Sequence, residues 1–229
     1  MADTITIIAA HADDEVLGCG GSIARHADAG ARVHVLLVAD GETSRGGSAA
    51  QTGDARVAAR DAAAQRAGRV LGCASVEMLG LPDNRLDSVA LLDVVKPIEA
   101  FVAKHRPSCV YTHHAGDVNV DHRVVHDAVL AACRPQPGHS VTELLFFEVP
   151  SSTEWRPPGS APMFAPNWFV DISKTLKRKL DALREYQAEL REFPHPRSLQ
   201  AIEALAQWRG ATAGVMAAEA FILGRKLIR

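Results

Sequence analysis

Residues 10–15 read "AHADDE", and they bring an imidazole and three carboxylates together at the end of an apolar run. His11, Asp13, Asp14 and Glu15 are followed at once by Gly18, Gly20 and Gly21. Adjacent carboxylates repel one another and resist burial, so this cluster calls for either water or a cation. A second polar stretch, "THHAGDVNVDHRVVH" at 112–126, supplies further imidazoles and acids. One imidazole and one carboxylate from the first cluster, with one imidazole from the second, make three nitrogen and oxygen donors. That set leaves a position for water, the pattern of a catalytic zinc site rather than a closed structural one. Iron or another divalent ion suits the same donors. His11 and Asp14, three apart across a tight turn, can chelate one ion, and Asp13 between them is placed to take a proton from water activated there.

Each group has a plainer role to weigh. A helix N-cap accounts for one acid at a helix start, but not for three acids behind a histidine. Glu15 is better read as a group that holds a ligand than as a ligand. His122 and His126 stand four apart on one helix, so both could bind metal. Val125 and Val129 mark a core-facing side of that helix, which favours His122 as ligand and His126 as a packed or supporting ring. Asp121 is a candidate to orient one of them, and Asp117 either shapes its loop or meets a substrate hydroxyl. Arg45 and Arg60 are candidates for an anionic group on a substrate, while Trp155 and His195 sit in proline-rich loops that could offer a platform to a substrate ring. The glycines do not follow the GxGxxG spacing, and acids beside them would repel a pyrophosphate. Close approach of helix to sheet, with room for a substrate, explains them better.

Positioning these groups requires a particular scaffold. Strand-like runs at 4–10, 32–39, 75–81, 108–113 and 143–149 alternate with helical stretches near 18–29, 54–71, 88–105 and 122–133. Such alternation means βαβ units and a mostly parallel sheet covered by helices on both faces, an α/β three-layer sandwich. Ligands of such sheets bind beyond the carboxyl ends of strands where the strand order reverses, commonly between the first and fourth strands. Both polar clusters would then face one crevice. Residues 150–168 carry five prolines and read as a functional loop. "WFVDI" is a candidate last strand, 173–192 a helix with a Leu176, Leu180, Leu183 and Leu190 stripe, and 199–209 a helix capped by Ser198. One domain is expected over 1–229, with a core at 1–149 and substrate loops and C-terminal helices at 150–229.

The composition excludes several classes. A formal net charge of −2 gives no electrostatic case for nucleic acid, and no apolar run reaches the roughly 20 residues of a membrane span. The acidic N-terminal stretch is unlike a signal peptide. Cys19, Cys73, Cys109 and Cys133 form no CxxC pair and read as small apolar residues in a reducing cytoplasm.

"AHADDE" with "GCGG" at 18–21, "DGETSR" at 40–45 and "NVDHR" at 119–123 resembles the PIG-L (LmbE-like) family of zinc-dependent N-acetylglucosaminyl deacetylases. "SSTEW" (151–155) and "FPHPRS" (193–198) are similar to a bacterial branch associated with glycan or lipopolysaccharide assembly. The resemblance implies a Rossmann-like core, one zinc ion held by His11, Asp14 and His122, and Asp13 as general base. Ala12 stands where the family usually has proline. Asn119 stands where several members carry a histidine that stabilises the oxyanion, so Asn119, His113, His114 or His195 is left to supply that help. The implied substrate is a small N-acetyl amino sugar, free or conjugated; a homo-oligomer is left open. A non-catalytic sugar-binding relative and another single-metal amidase or esterase are the alternatives.

Overall fold

The computed structural model describes residues 3–41 and 50–228, with the side chains of 50–54 excepted. Five parallel strands come first: β1 (Thr4–Ala9), β2 (Arg32–Ala39), β3 (Ser75–Leu81), β4 (Cys109–His113) and β5 (Glu143–Phe147). β6 (Trp168–Asp171) and β7 (Ala218–Lys226) complete a seven-stranded sheet in the order β3-β2-β1-β4-β5-β7-β6. The order reverses between β1 and β4, which pair with Ile7 opposite Tyr111. β1 is buried along its whole length, Thr4 and Thr6 included, because both of its faces are covered. Alternate residues enter different cores: Ile5, Ile7 and Ala9 face one, while Ile8 and Ala10 face the other. Helices α1 (Asp14–Asp28), α2 (Ala50–Leu71) and α5 (Leu176–Leu183) cover the first side. Helices α3 (Leu91–His105) and α4 (Val120–Ala132) cover the second, and α6 (Leu199–Ala213) packs beside β7. This is the mostly parallel three-layer α/β sandwich expected from the alternation.

Three local expectations are corrected. The helix over 173–192 ends early: α5 stops at Leu183, one 3-10 turn spans Arg184–Tyr186, and turns follow. Past these turns Pro194 and Pro196 bar a return to helix, and Glu189 makes a 2.5 Å ion pair with Arg60. β7, in a stretch with no assignment, inserts antiparallel between β5 and β6. The glycines of α1 leave no room for a substrate, because an added Cβ at Gly18 would lie 2.4 Å from the Phe147 ring and one at Gly21 2.8 Å from Ile172.

α1 is also kinked. Cys19 takes φ −145°, ψ 21°, which interrupts the helical hydrogen bonds. The freed N–H groups of Gly21 and Ser22 donate to the Glu219 carboxylate at 2.9 and 2.7 Å. The Leu17 carbonyl accepts from Lys179 Nζ at 2.8 Å, and that ammonium also meets Glu219 at 2.6 Å. A buried ion pair from α5 and β7 thus supplies the partners that the bend removes.

Candidate metal centre and active site

The turn between β1 and α1 sets the site. Asp13 adopts φ 121°, ψ −29°, a backbone region that L-residues enter rarely, and its N–H donates to Glu15 Oε2 at 3.0 Å. The Tyr186 hydroxyl donates to the other Glu15 oxygen at 2.5 Å, so Glu15 is fully engaged as a brace. Burial pushes the Glu15 carboxyl up to about 7, against the pull of that hydroxyl and the Asp13 N–H.

His11, Asp14 and His122 converge, each buried and each offering a ligand atom within 4.8 Å of the others. Asp14 Oδ2 lies 3.2 Å from both His11 Nδ1 and His122 Nε2. A tetrahedral ion with bonds of about 2.0–2.1 Å spaces its donors at about 3.3–3.4 Å, so these separations suit one. The far nitrogens are held by carboxylates. His11 Nε2 is 2.9 Å from Asp121 and 3.1 Å from Asp83, and His122 Nδ1 is 3.2 Å from Asp117. Each ring thus stands between carboxylates on both sides; an ion at the centre would be met by His11 Nδ1 and His122 Nε2, with the hydrogens kept on the outer nitrogens by Asp121, Asp83 and Asp117. Asp14 Oδ1 and His122 Nε2 are buried with no hydrogen-bond partner among the described residues, which suits an ion-binding donor set. Electrostatics agree. Burial opposes charge on His11, yet Asp121, Asp14 and Asp83 outweigh it and hold the ring well above the usual histidine range. His122 is likewise opposed by burial but raised to about 9 by Asp14 and Asp117. Burial acts to raise Asp14, and His122 and His11 instead hold it well below the carboxylate range. The cluster therefore demands positive charge, as protons or as a cation.

The family described as PIG-L, GlcNAc-PI de-N-acetylase, matches residues 6–133, more than half of the chain and both polar clusters. The chain belongs to the PIG-L family. Its sequence is similar to an uncharacterized deacetylase of Escherichia coli, YaiS, at 31% identity over 80% of this chain and 90% of the relative. It is also similar to diacetylchitobiose deacetylase of Thermococcus kodakarensis, at 27% identity over 82% of this chain and 70% of that protein. The solved structure of the 4-carboxy-2-hydroxymuconate hydratase GalB from Pseudomonas putida aligns with TM-score 0.78 at 22% identity, covering 99% of this chain and 98% of that one. A hydratase on the same scaffold means that fold alone does not set the reaction.

Within this PIG-L chain, several candidate substrate contacts turn out to be engaged in structure. His113 is fully buried, accepts the Ala10 N–H on Nε2 at 2.8 Å and stacks on His122 at 3.9 Å. Burial and the His122 charge hold it well below the usual histidine range, so it is a neutral wedge closed to substrate. Asp117 accepts from the Ser152 and Thr153 hydroxyls and from the Asn119 N–H, which leaves it orienting His122 rather than meeting a sugar. Arg60 is bound to Glu189 and reaches the Ala12 carbonyl at 3.4 Å, with its side chain 8% exposed; it is no open anion site. His114 is buried against the Pro162 carbonyl at 2.9 Å. Asn119 caps α4 by accepting the Asp121 N–H and donates to Asn84 at 3.4 Å. His126 pairs with the His113 carbonyl at 2.8 Å, away from the ligand trio. Asp121 braces His11 while accepting the Asn84 and Leu86 N–H groups. His195 stays half-buried, edge-on to exposed Trp155 at 5.9 Å. Arg45 lies outside the described residues.

Sequence reasoning missed Asp83, in the turn "PDNR", and Arg197, inside "FPHPRS". Arg197 Nη1 donates to Asp13 Oδ2 at 2.9 Å. Burial drives the Asp13 carboxyl up to about 6 while Arg197 opposes the rise.

Proposed function

We propose that the chain is a metal-dependent hydrolase that removes the acetyl group from an N-acetylated amino sugar. One observation carries this reading: a buried trio of nitrogen and oxygen donors, with Asp14 Oδ1 and His122 Nε2 unpartnered among the described residues, next in sequence to a carboxylate that takes no part in the trio. The family and its deacetylase-named relatives support the amide as the bond attacked. In this reading His11, Asp14 and His122 would hold the ion, zinc first among candidates, which would supply Lewis acidity and lower the pKa of water from ~16 to near ~7. Asp13 takes a proton from the attacking water at its carboxylate and returns it to the departing amine nitrogen. Asn119 offers its remaining amide N–H to the acetyl oxygen as negative charge develops there. Asp117 and Asp121 keep the two imidazoles turned inward throughout. Acetate and a free amino sugar leave.

The test is an acetate-release screen over N-acetylglucosamine, its chitobiose and simple glycosides, with chelated protein and with zinc, iron or manganese restored. Release that is lost on chelation, regained with metal, and absent in Asp13→Ala at full metal content is the expected result. Folded, metal-loaded protein that releases no acetate from any of these amides overturns the proposal.

A further inference from the structure

We propose that Arg197 is the positioning residue for the Asp13 carboxylate, fixing one oxygen so that the other faces the reacting water. The proposal rests on Asp13 acting as the base. Asp13 sits in a strained backbone conformation, of order 1–3 kcal/mol for such a residue, and strain of that kind persists only where neighbours hold it. Glu15 holds the backbone N–H of Asp13; Arg197 holds its side chain. Arg197 is itself fixed at several points. Its Nε donates to Ser151 Oγ at 2.7 Å, its own N–H donates to His195 Nδ1 at 3.0 Å, and Glu189 lies 3.6 Å from Nη1. The next residue, Ser198, caps α6 through the Ala201 N–H, which anchors the backbone that presents the guanidinium. Arg60, Glu189, Arg197 and Asp13 therefore form a row of alternating charge leading from α2 to the base. Only a planar fork can serve Ser151 and Asp13 at once; a lysine ammonium would keep the charge and lose the angle. Arginine stays protonated, so Arg197 moves no proton itself.

Arg197→Met and Arg197→Lys, with zinc content checked, test this. A misplaced catalytic group costs on the order of a hundredfold in rate. Arg197→Met is expected to keep its metal, lose about that factor in kcat and hold KM within about threefold. Arg197→Lys recovers part of the loss, and millimolar guanidinium restores part of the activity of Arg197→Ala. A crystal structure of Arg197→Met shows the Asp13 carboxylate displaced. The proposal is overturned by a KM that rises with kcat unchanged, by loss of metal, or by an unmoved Asp13 carboxylate. Should the methionine variant not fold, the lysine variant and guanidinium rescue decide by the same criteria. Wild-type protein that releases no acetate would count against the proposed reaction, whereas the position of Asp13 in the variant crystal judges the positioning role by itself.

Discussion

Replacing Glu219 by alanine is expected to unsettle the helix that carries the metal motif, although Glu219 touches none of the candidate ligands. The carboxylate is 4% exposed, accepts two N–H groups released at the Cys19 bend, and faces Lys179, also 4% exposed. Glu219→Ala leaves the Gly21 and Ser22 donors unpaired and Lys179 with the Leu17 carbonyl. Removing one partner of a buried pair costs about 3–5 kcal/mol, and orphaned buried donors push toward the upper end. For a chain of this size each kcal/mol moves Tm by roughly 2–4 °C, so about 4 kcal/mol is a fall of roughly 8–16 °C. Lys179→Met should cost less, since Glu219 keeps both backbone donors. The double variant should cost at least about 1 kcal/mol less than the two single losses together. Denaturant melts in the presence of chelator, compared at a common slope, measure all three. A Glu219→Ala loss below about 1 kcal/mol, or strictly additive losses, would refute the reasoning.

Gly21→Ala places a methyl against Ile172, so a loss of about 1–3 kcal/mol is expected in the same melts, and a smaller loss when the same change is made in an Ile172→Ala background. Asp117→Ala removes the acceptor facing His122 Nδ1; metal affinity, read by competition with a chromophoric chelator, should fall about 10–100-fold. His34 is pushed down to about 4 by burial and by neighbouring His105. Its neutral form is favoured on folding, so its contribution is present above the ordinary histidine pKa of about 6.5 and is lost as pH falls toward 4. An NMR titration of His34 with a midpoint near the ordinary value would contradict this, as would unchanged acid sensitivity in His34→Gln.

The parallel strands were legible because β-branched runs at the right spacing admit few other structures, and the crevice followed from placing β1 and β4 as neighbours. That His11, Asp14 and His122 would converge was legible because they belong to two short motifs at the ends of neighbouring strands. What escaped was long-range and solitary. Arg197 lies 184 positions from Asp13, and a single arginine in a proline-rich loop carries no spacing signal. Glu219 sits in "AEAFILGRK", whose apolar residues do not alternate cleanly, so neither the strand nor the bond to Gly21, 198 positions away, is visible in the order of residues. Asp117 takes the loop-shaping of its two expected roles and Arg60 is paired with Glu189, neither of which composition could decide, because it shows a charge but not the hydroxyls or carboxylates already bound to it.

The placement of β7 has a consequence for how the molecule is made. All three candidate ligands are synthesised within the first 122 residues, yet the carboxylate that braces α1 comes at position 219 and β6 pairs with β7. A chain that ends before β7 therefore carries all the candidate ligands once residue 122 is made, but lacks the carboxylate that accepts the Gly21 and Ser22 N–H groups. The brace on the helix that follows the first ligand motif is among the last contacts that synthesis can supply.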